Sequence, residues 1–293
     1  MTHTKALFAA AITVLLWSSA FPGIRAALEG YPPGHLVLLR FLIASVSLGI
    51  VALVTRLPAP SFADLPGMLF LGVIGIGGYQ TALTFGQQTV SAGAAALAVA
   101  LTPVFMALIG TVFLGERLAA AAWSGTVLSF VGIAIVSLGE NGSLEWSGDI
   151  ALVVLAALAA SVFFVLQKPY LRRYSPLQMT TIGIWAGTII MAFIWLPGLT
   201  RSIQQAPVGA TAAVLYLAIL PGTVAYVTWA YALSKAPASV LGNAIYLEPP
   251  LAIVVCYLWL GELPALLTVC GGAIALLGVV ITSVFGSSRQ IPP

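Results

Sequence analysis

Three observations predict an all-α polytopic membrane protein whose ten transmembrane helices form two inverted five-helix repeats. The chain of 293 residues is 60% hydrophobic and only 6% charged, with a mean hydropathy of +1.08, whereas soluble domains carry about 25% charged residues. Its apolar segments are about 20 residues long and lack the alternation of barrel strands, so each must satisfy its own backbone polar groups as a helix. The chain also repeats itself: "ALTPVFMALIGTVFLGERL" (100–118) aligns with "YLEPPLAIVVCYLWLGELP" (246–264) at an offset of 146 residues.

That alignment pairs Pro103 with Pro249, Gly115 with Gly261, Glu116 with Glu262, Gly125 with Gly271 and Gly132 with Gly278. Five matches at one spacing mark a duplication. At an offset of 147, "WSSAFPGIR" (17–25) meets "FVLQKPYLR" (164–172), pairing Pro22 with Pro169 and Arg25 with Arg172. The repeats are 1–146 and 147–293, and each holds an odd number of helices. The second therefore enters the membrane from the opposite side, related to the first by a pseudo-two-fold axis in the membrane plane. This is the plan of a transporter, in which two near-equivalent halves rock to open a central site to either face.

The first helix is expected over 6–28. Lys5, the apolar run and the small residues Ser18, Ser19 and Ala20 resemble a signal peptide, but the match of Pro22 and Arg25 to the second half reads as a retained helix. Trp17, flanked by Ser18, Ser19 and Pro22, is a candidate for substrate contact or core packing. The second helix, 35–55, carries Arg40 about five residues inside its start; a long cationic side chain there is expected to snorkel outward, paired with an acidic residue such as Glu29.

The third helix, 64–87, places Gln80, Thr84 and Gln87 at i, i+4 and i+7 in one polar stripe with Tyr79 beside it. Polar groups inside a membrane are costly. The stripe marks either interhelical hydrogen bonds or a cavity, and Tyr79, Gln80 and Thr84 are cavity candidates. The fourth helix, 91–113, contributes Thr102, which stands opposite Glu248 in the repeat. The fifth, 119–139, and the tenth, 264–285, carry the small-xxx-small pairs Gly125/Ser129 and Gly271/Ala275, which permit close helix approach within the monomer or in a weak dimer.

In the sixth helix, 148–168, Gln167 is the polar candidate beside Phe163 and Phe164; Trp185 of the seventh, 176–197, is expected against lipid or a neighbouring helix. The eighth, 208–233, sets Thr223, Tyr226 and Trp229 on one face near mid-segment. That position argues for core packing or substrate contact rather than an interfacial aromatic belt.

The ninth helix, 238–260, holds Asn243, Tyr246 and the run Glu248-Pro249-Pro250. Asn243 and Glu248 lie roughly 140 degrees apart on an ideal helix. Pro249 disfavours helical geometry at Glu248, and the two prolines lack N–H groups, so the segment is expected to bend or unwind here. A carboxylate at this depth costs about 3 kcal/mol if it behaves like Asp. It calls for a hydrogen-bonded partner or a bound proton. Glu248 thus either binds a substrate amino group or a coupling proton, or holds the bend through freed backbone groups. Glu116 and Glu262, each ending a helix at an interface, read as caps or ion-pair partners in tight turns.

Eight of the eleven basic residues (Lys5, Arg56, Arg117, Lys168, Arg172, Arg173, Lys235 and Arg289) fall on one side of this arrangement. By the positive-inside rule that side is cytoplasmic and both termini lie there. The connections near "GENGSLEWSGD" and "TRSIQQAP" leave no room for a soluble domain, and no GxxxxGK[ST] phosphate loop is present. Energy must come from a solute or ion gradient or a separate subunit. His3 and His35 are the only histidines, and neither HExxH nor GxSxG occurs, which argues against an enzyme. Cys256 and Cys270 read as small apolar residues rather than a disulfide or metal site. No cofactor, metal or nucleic-acid partner is expected. The partners are the lipid bilayer, a small-molecule substrate and, through Glu248, protons.

The sequences "LGERL" and "LGELP", Trp17, "HLVLLRF", "GYQTALTFGQQTVSAGAAAL" and "YLEPPLAIV" together resemble the signatures of the drug/metabolite transporter superfamily, specifically its ten-helix EamA-like exporters. Within it the chain looks most like bacterial exporters of amino acids, including aromatic ones. The resemblance implies a basket-shaped bundle with a central cavity lined by the third, fourth, eighth and ninth helices, helped by the first and sixth, with the fifth and tenth at the periphery. It also implies export of amino acids or similar metabolites across the inner membrane by alternating access. A drug or nucleotide-sugar transporter of the same fold and a passive channel are the competing expectations.

Overall fold

A computed structural model describes residues 2–114, 119–141, 148–235 and 244–285, and among these every regular element is helical. Among the described residues, nine helices are long and apolar enough to cross a membrane. They are α1 (Thr4–Leu28), α2 (Pro33–Val54), α3 (Leu65–Gly86), α4 (Ala92–Phe113), α5 (Ala120–Gly139), α6 (Gly148–Leu166), α7 (Pro176–Trp195), α8 (Val208–Lys235) and α10 (Leu266–Val284); the shorter apolar helix α9 (Glu248–Leu260) precedes the last. Local chemistry fixes the starts. Ser91 caps α4 by accepting from the Ala94 amide, and Ser175 with Gln178 forms a capping box ahead of Pro176 in α7. The stretch read as a polar connection before α8 instead contains a short helix, Leu199–Gln205, entered through Gly198 at φ 83.

The packing has an internal exchange. α1 lies against α8 and α9, as α6 lies against α3 and α4; α2 contacts α8 as α7 contacts α3; and α2 meets α7, α4 meets α9 and α5 meets α10. Swapping each helix for the one five positions along leaves these neighbours unchanged. The closest pair is α5 with α10: Gly125 faces Gly278 and Thr282, while Gly132 faces Gly271 and Ala275, so the helices run antiparallel. A methyl group on Gly132 would sit 2.3 Å from the Ala275 nitrogen. Ser129 donates to the Ala275 carbonyl at 3.2 Å, and Thr282 to that of Ala122 at 3.2 Å. The small-residue faces are therefore consumed within one chain. α2 and α7 also run antiparallel, joined by Ser45 and Thr188 at 2.8 Å and by Thr188 to the Phe41 carbonyl at 3.3 Å.

α1 is interrupted by a turn at Ser19, and four other helices depart from regular geometry in matched pairs. α3 widens to a π-turn at Val73–Gly78 and α8 at Leu220–Val224; such widenings concentrate at functional sites. In α4 the helix breaks at Ala100–Leu101 and restarts at Thr102, and the chain before α9 turns at Tyr246–Leu247 and restarts at Glu248. The bonds match too: Leu101 N to Ala98 O and Leu247 N to Ala244 O are both 3.1 Å, as are Phe105 N to Leu101 O and Leu251 N to Leu247 O. The expected interruption is thus present but lies just before Glu248, which is the first residue of α9.

Candidate functional site

The two broken helices handle their unpaired carbonyls differently. Pro103 has no N–H for the Val99 carbonyl, and the Thr102 hydroxyl donates to it instead at 2.7 Å. At the matching place before α9 stands Glu248, which has no proton to offer when ionised. Each restart is also tied to a neighbour, with Ser161 of α6 donating to the Thr102 carbonyl at 2.9 Å and Ser18 of α1 to the Glu248 carbonyl at 3.1 Å. Thr102 is thereby committed to the backbone. The Glu248 carboxylate is not: it is half-buried, and among the described residues it has no hydrogen-bond or ion-pair partner.

Around it, side chains converge from four other helices. Trp17 of α1 stacks edgewise on Tyr226 and obliquely on Trp229 of α8, with both centroid distances 5.5 Å. Tyr79 of α3 and Tyr226 lie within electrostatic reach of both Glu248 and Arg40. Gln80, 4% exposed, accepts from Arg40 Nη1 of α2 at 3.0 Å and also interacts with the Tyr226 hydroxyl.

Arg40 corrects the sequence reading. It is 3% exposed, whereas Glu29, its expected partner, is exposed. The guanidinium therefore turns inward, towards the Gln80 amide and 5.6 Å from the Phe41 ring centre. Its Nε is buried without an acceptor among the described residues. A residue five positions into a helix can reach out or in, and only the azimuth of its Cβ decides. The signal available in the sequence was the Gln80 stripe on the adjoining helix, which needed a donor.

The other expected residues divide. Thr84 is fully buried one turn beyond Gln80, its hydroxyl unpaired. Gln87 donates to the Phe21 carbonyl at 3.1 Å and so fastens α3 to α1. Tyr246 is half-buried in the turn before α9, packed against the core. Gln167 lies in the turn after α6, and among the described residues no hydrogen bond joins it to the cluster. Asn243 and Glu116 lie outside the described residues. Glu262 ion-pairs with Arg25 at 3.6 Å, and Arg25 also binds the Gln87 and Gln88 carbonyls at 2.9 and 2.8 Å. Beside this pair opens a cleft of about 610 Å³ lined by Arg25, Glu29, Tyr31, Gln88 and Glu262, among others.

Comparison with known proteins places this arrangement. The chain is 38% identical to the uncharacterised transporter YdfC of Bacillus subtilis, over 91% of this chain and 87% of that protein. It is 37% identical to a "Probable terminal-alkyne amino-acid exporter" of Streptantibioticus cattleyicolor, over 96% of this chain and 94% of the relative. A crystal structure of a protein 19% identical in sequence has the same fold, with a TM-score of 0.63 over 97% of this chain and 98% of its own. The first two are described as a transporter and an exporter, not as enzymes. The pattern of the EamA-like transporter family matches twice, at residues 4–138 and again at 147–284, and the protein is accordingly a multi-pass membrane member of the EamA-like transporter family.

Proposed function

We propose that this protein is an inner-membrane secondary transporter that exports amino acids or similar small metabolites with broad selectivity, by alternating access through a central cavity. The observation that carries the reading is the convergence of Trp17, Tyr79, Gln80, Tyr226, Trp229 and Glu248, drawn from both halves of the chain, on one interior site. The halves 1–146 and 147–293 act as inverted repeats, a reading supported by the exchange-invariant packing and the antiparallel α2/α7 and α5/α10 pairs. Discontinuous helices at the repeat interface are the usual backbone of such sites. The amino-acid assignment draws on the relative described as an amino-acid exporter. The protein works as a monomer or weak dimer with both termini in the cytoplasm, its exposed basic residues Arg56, Lys168, Arg172 and Lys235 lying on the inner side.

The test is uptake into proteoliposomes of a panel of radiolabelled amino acids, with and without an imposed pH gradient. Saturable flux, accelerated by amino acid on the opposite side, is expected. Stimulation by the gradient would assign proton coupling. If no amino acid is carried or competes, the substrate reading fails, and non-saturable flux without counter-stimulation would mark a channel.

A further inference from the structure

Arg40, whose guanidinium keeps its charge, and the carboxyl group of Glu248 both lie within the bundle, and neither has an ion-pair partner among the described residues. Such burial is normally tolerated only in pairs. The two are not paired with each other, yet both ends belong to one cluster: Arg40 binds Gln80 at 3.0 Å, Gln80 reaches the Tyr226 hydroxyl, Tyr226 packs on Trp17 with ring centres 5.5 Å apart, and Ser18, next in chain, holds the Glu248 carbonyl at 3.1 Å. We infer that the two ends of this cluster form a two-point receptor for a zwitterion, the Arg40 guanidinium taking the carboxylate and the Glu248 carboxylate the ammonium of one α-amino acid. The inference rests on the amino-acid reading above and specifies which groups of the substrate are read.

Arginine carries the stronger half of the argument. A guanidinium keeps its charge wherever it is placed and offers five N–H donors in a planar fork matched to a carboxylate. Here Gln80 accepts one of them at 3.0 Å and the Phe41 ring gives a weak face contact. Nε is buried with no acceptor among the described residues. A neutral amide orients the fork without neutralising it, so the site stays receptive to an anion; an acidic residue at position 80 would fill it permanently.

Glu248 has a partial structural explanation, since a carboxylate in the first turn of α9 opposes that helix's dipole. The dipole does not supply a donor to the carboxylate oxygens, and an ammonium would. Trp17, Tyr226 and Trp229 then face the remainder of the solute with ring surfaces. Aromatic faces suit uncharged side chains and add no fixed charge.

The test uses the full-length protein in liposomes. Probes are L-phenylalanine, phenylethylamine, which lacks the carboxylate, and 3-phenylpropionate, which lacks the ammonium, each competing against uptake of whichever labelled amino acid wild type carries. Wild type is expected to prefer phenylalanine at least tenfold over either analogue. In Arg40→Gln the preference over phenylethylamine collapses towards onefold while that over 3-phenylpropionate stays; Glu248→Gln does the reverse. Gln80→Glu keeps Arg40 paired, so it folds with an unfolding temperature no lower than wild type, yet loses at least tenfold in competition by phenylalanine.

Equal competition by all three probes against wild type overturns the two-point receptor even where amino-acid export stands. So does a Gln80→Glu protein that competes normally, or an Arg40→Gln protein whose analogue ratios are those of wild type. Absence of amino-acid uptake by wild type would instead defeat the substrate reading on which the receptor depends.

Discussion

Thr102 and Glu248 occupy the same place in two copies of one broken helix, and their side chains do different things. The Thr102 hydroxyl repairs the Val99 carbonyl that Pro103 leaves without a donor, whereas the Glu248 carboxylate repairs nothing. Thr102→Val should therefore cost about 0.5–1.5 kcal/mol, the usual net contribution of one intramolecular hydrogen bond, with selectivity unchanged. Thermal unfolding in detergent alongside competition assays would show it. A Thr102→Val protein with normal stability but altered selectivity would move Thr102 into the binding site. The opposite positions of the duplicated proline were legible in the sequence, and so was the asymmetry of the carboxylate. What the sequence could not supply was the side on which Arg40 emerges from α2, because that depends on helix rotation set by α7 and α8 rather than on its distance from the helix end.

At the scale of the helix, the α5–α10 contact leaves no room for a side chain at its glycines. Gly132 and Gly271 meet backbone atoms of the opposite helix directly, with the Gly271 Cβ position 2.7 Å from the Gly132 carbonyl oxygen. Gly132→Ala must push the helices apart and should cost at least the 1–3 kcal/mol of ordinary overpacking. Gly209→Ala, whose added methyl meets nothing within 4 Å, is the control and should leave unfolding within about 0.5 kcal/mol of wild type. If both behave alike, the close approach is not what holds the pair. The small residues and their 146-residue spacing were readable because duplication conserves the frame. The π-turns of α3 and α8 were not, since "VIGIGG" and "LPGTV" specify flexible backbone without saying how a helix will use it. Their geometry comes from the helices against them: Gly72 and Gly77 of the first turn region let α3 approach Gly183 and Gly187 of α7.

For the whole molecule, the alternating access proposed above would require one end of the cluster to open while the other stays tied, and Arg25 supplies ties at one end. This end is opposite Lys235, because α1 and α8 run antiparallel, with Thr13 against Thr228 and Ser19 against Tyr216. Arg25 joins the end of α1 to the end of α3 through two carbonyls and to the α9–α10 turn through Glu262. Opening here must break at least one of those ties. The ion pair is the weakest, since its side chains are 32% and 38% exposed, and half-exposed pairs are worth about 0–1 kcal/mol. Glu262→Gln should therefore raise the population open at this end by up to about fivefold without unfolding the protein. Thr84, fully buried one turn inward of Gln88, is a suitable reporter: with Cys256 and Cys270 replaced by alanine, Thr84→Cys should react with a membrane-impermeant thiol reagent faster when Glu262→Gln is added. An unchanged rate would mean that the carbonyl ties alone hold the mouth, and adding Arg25→Gln, which removes both kinds of tie, should then be needed to release it.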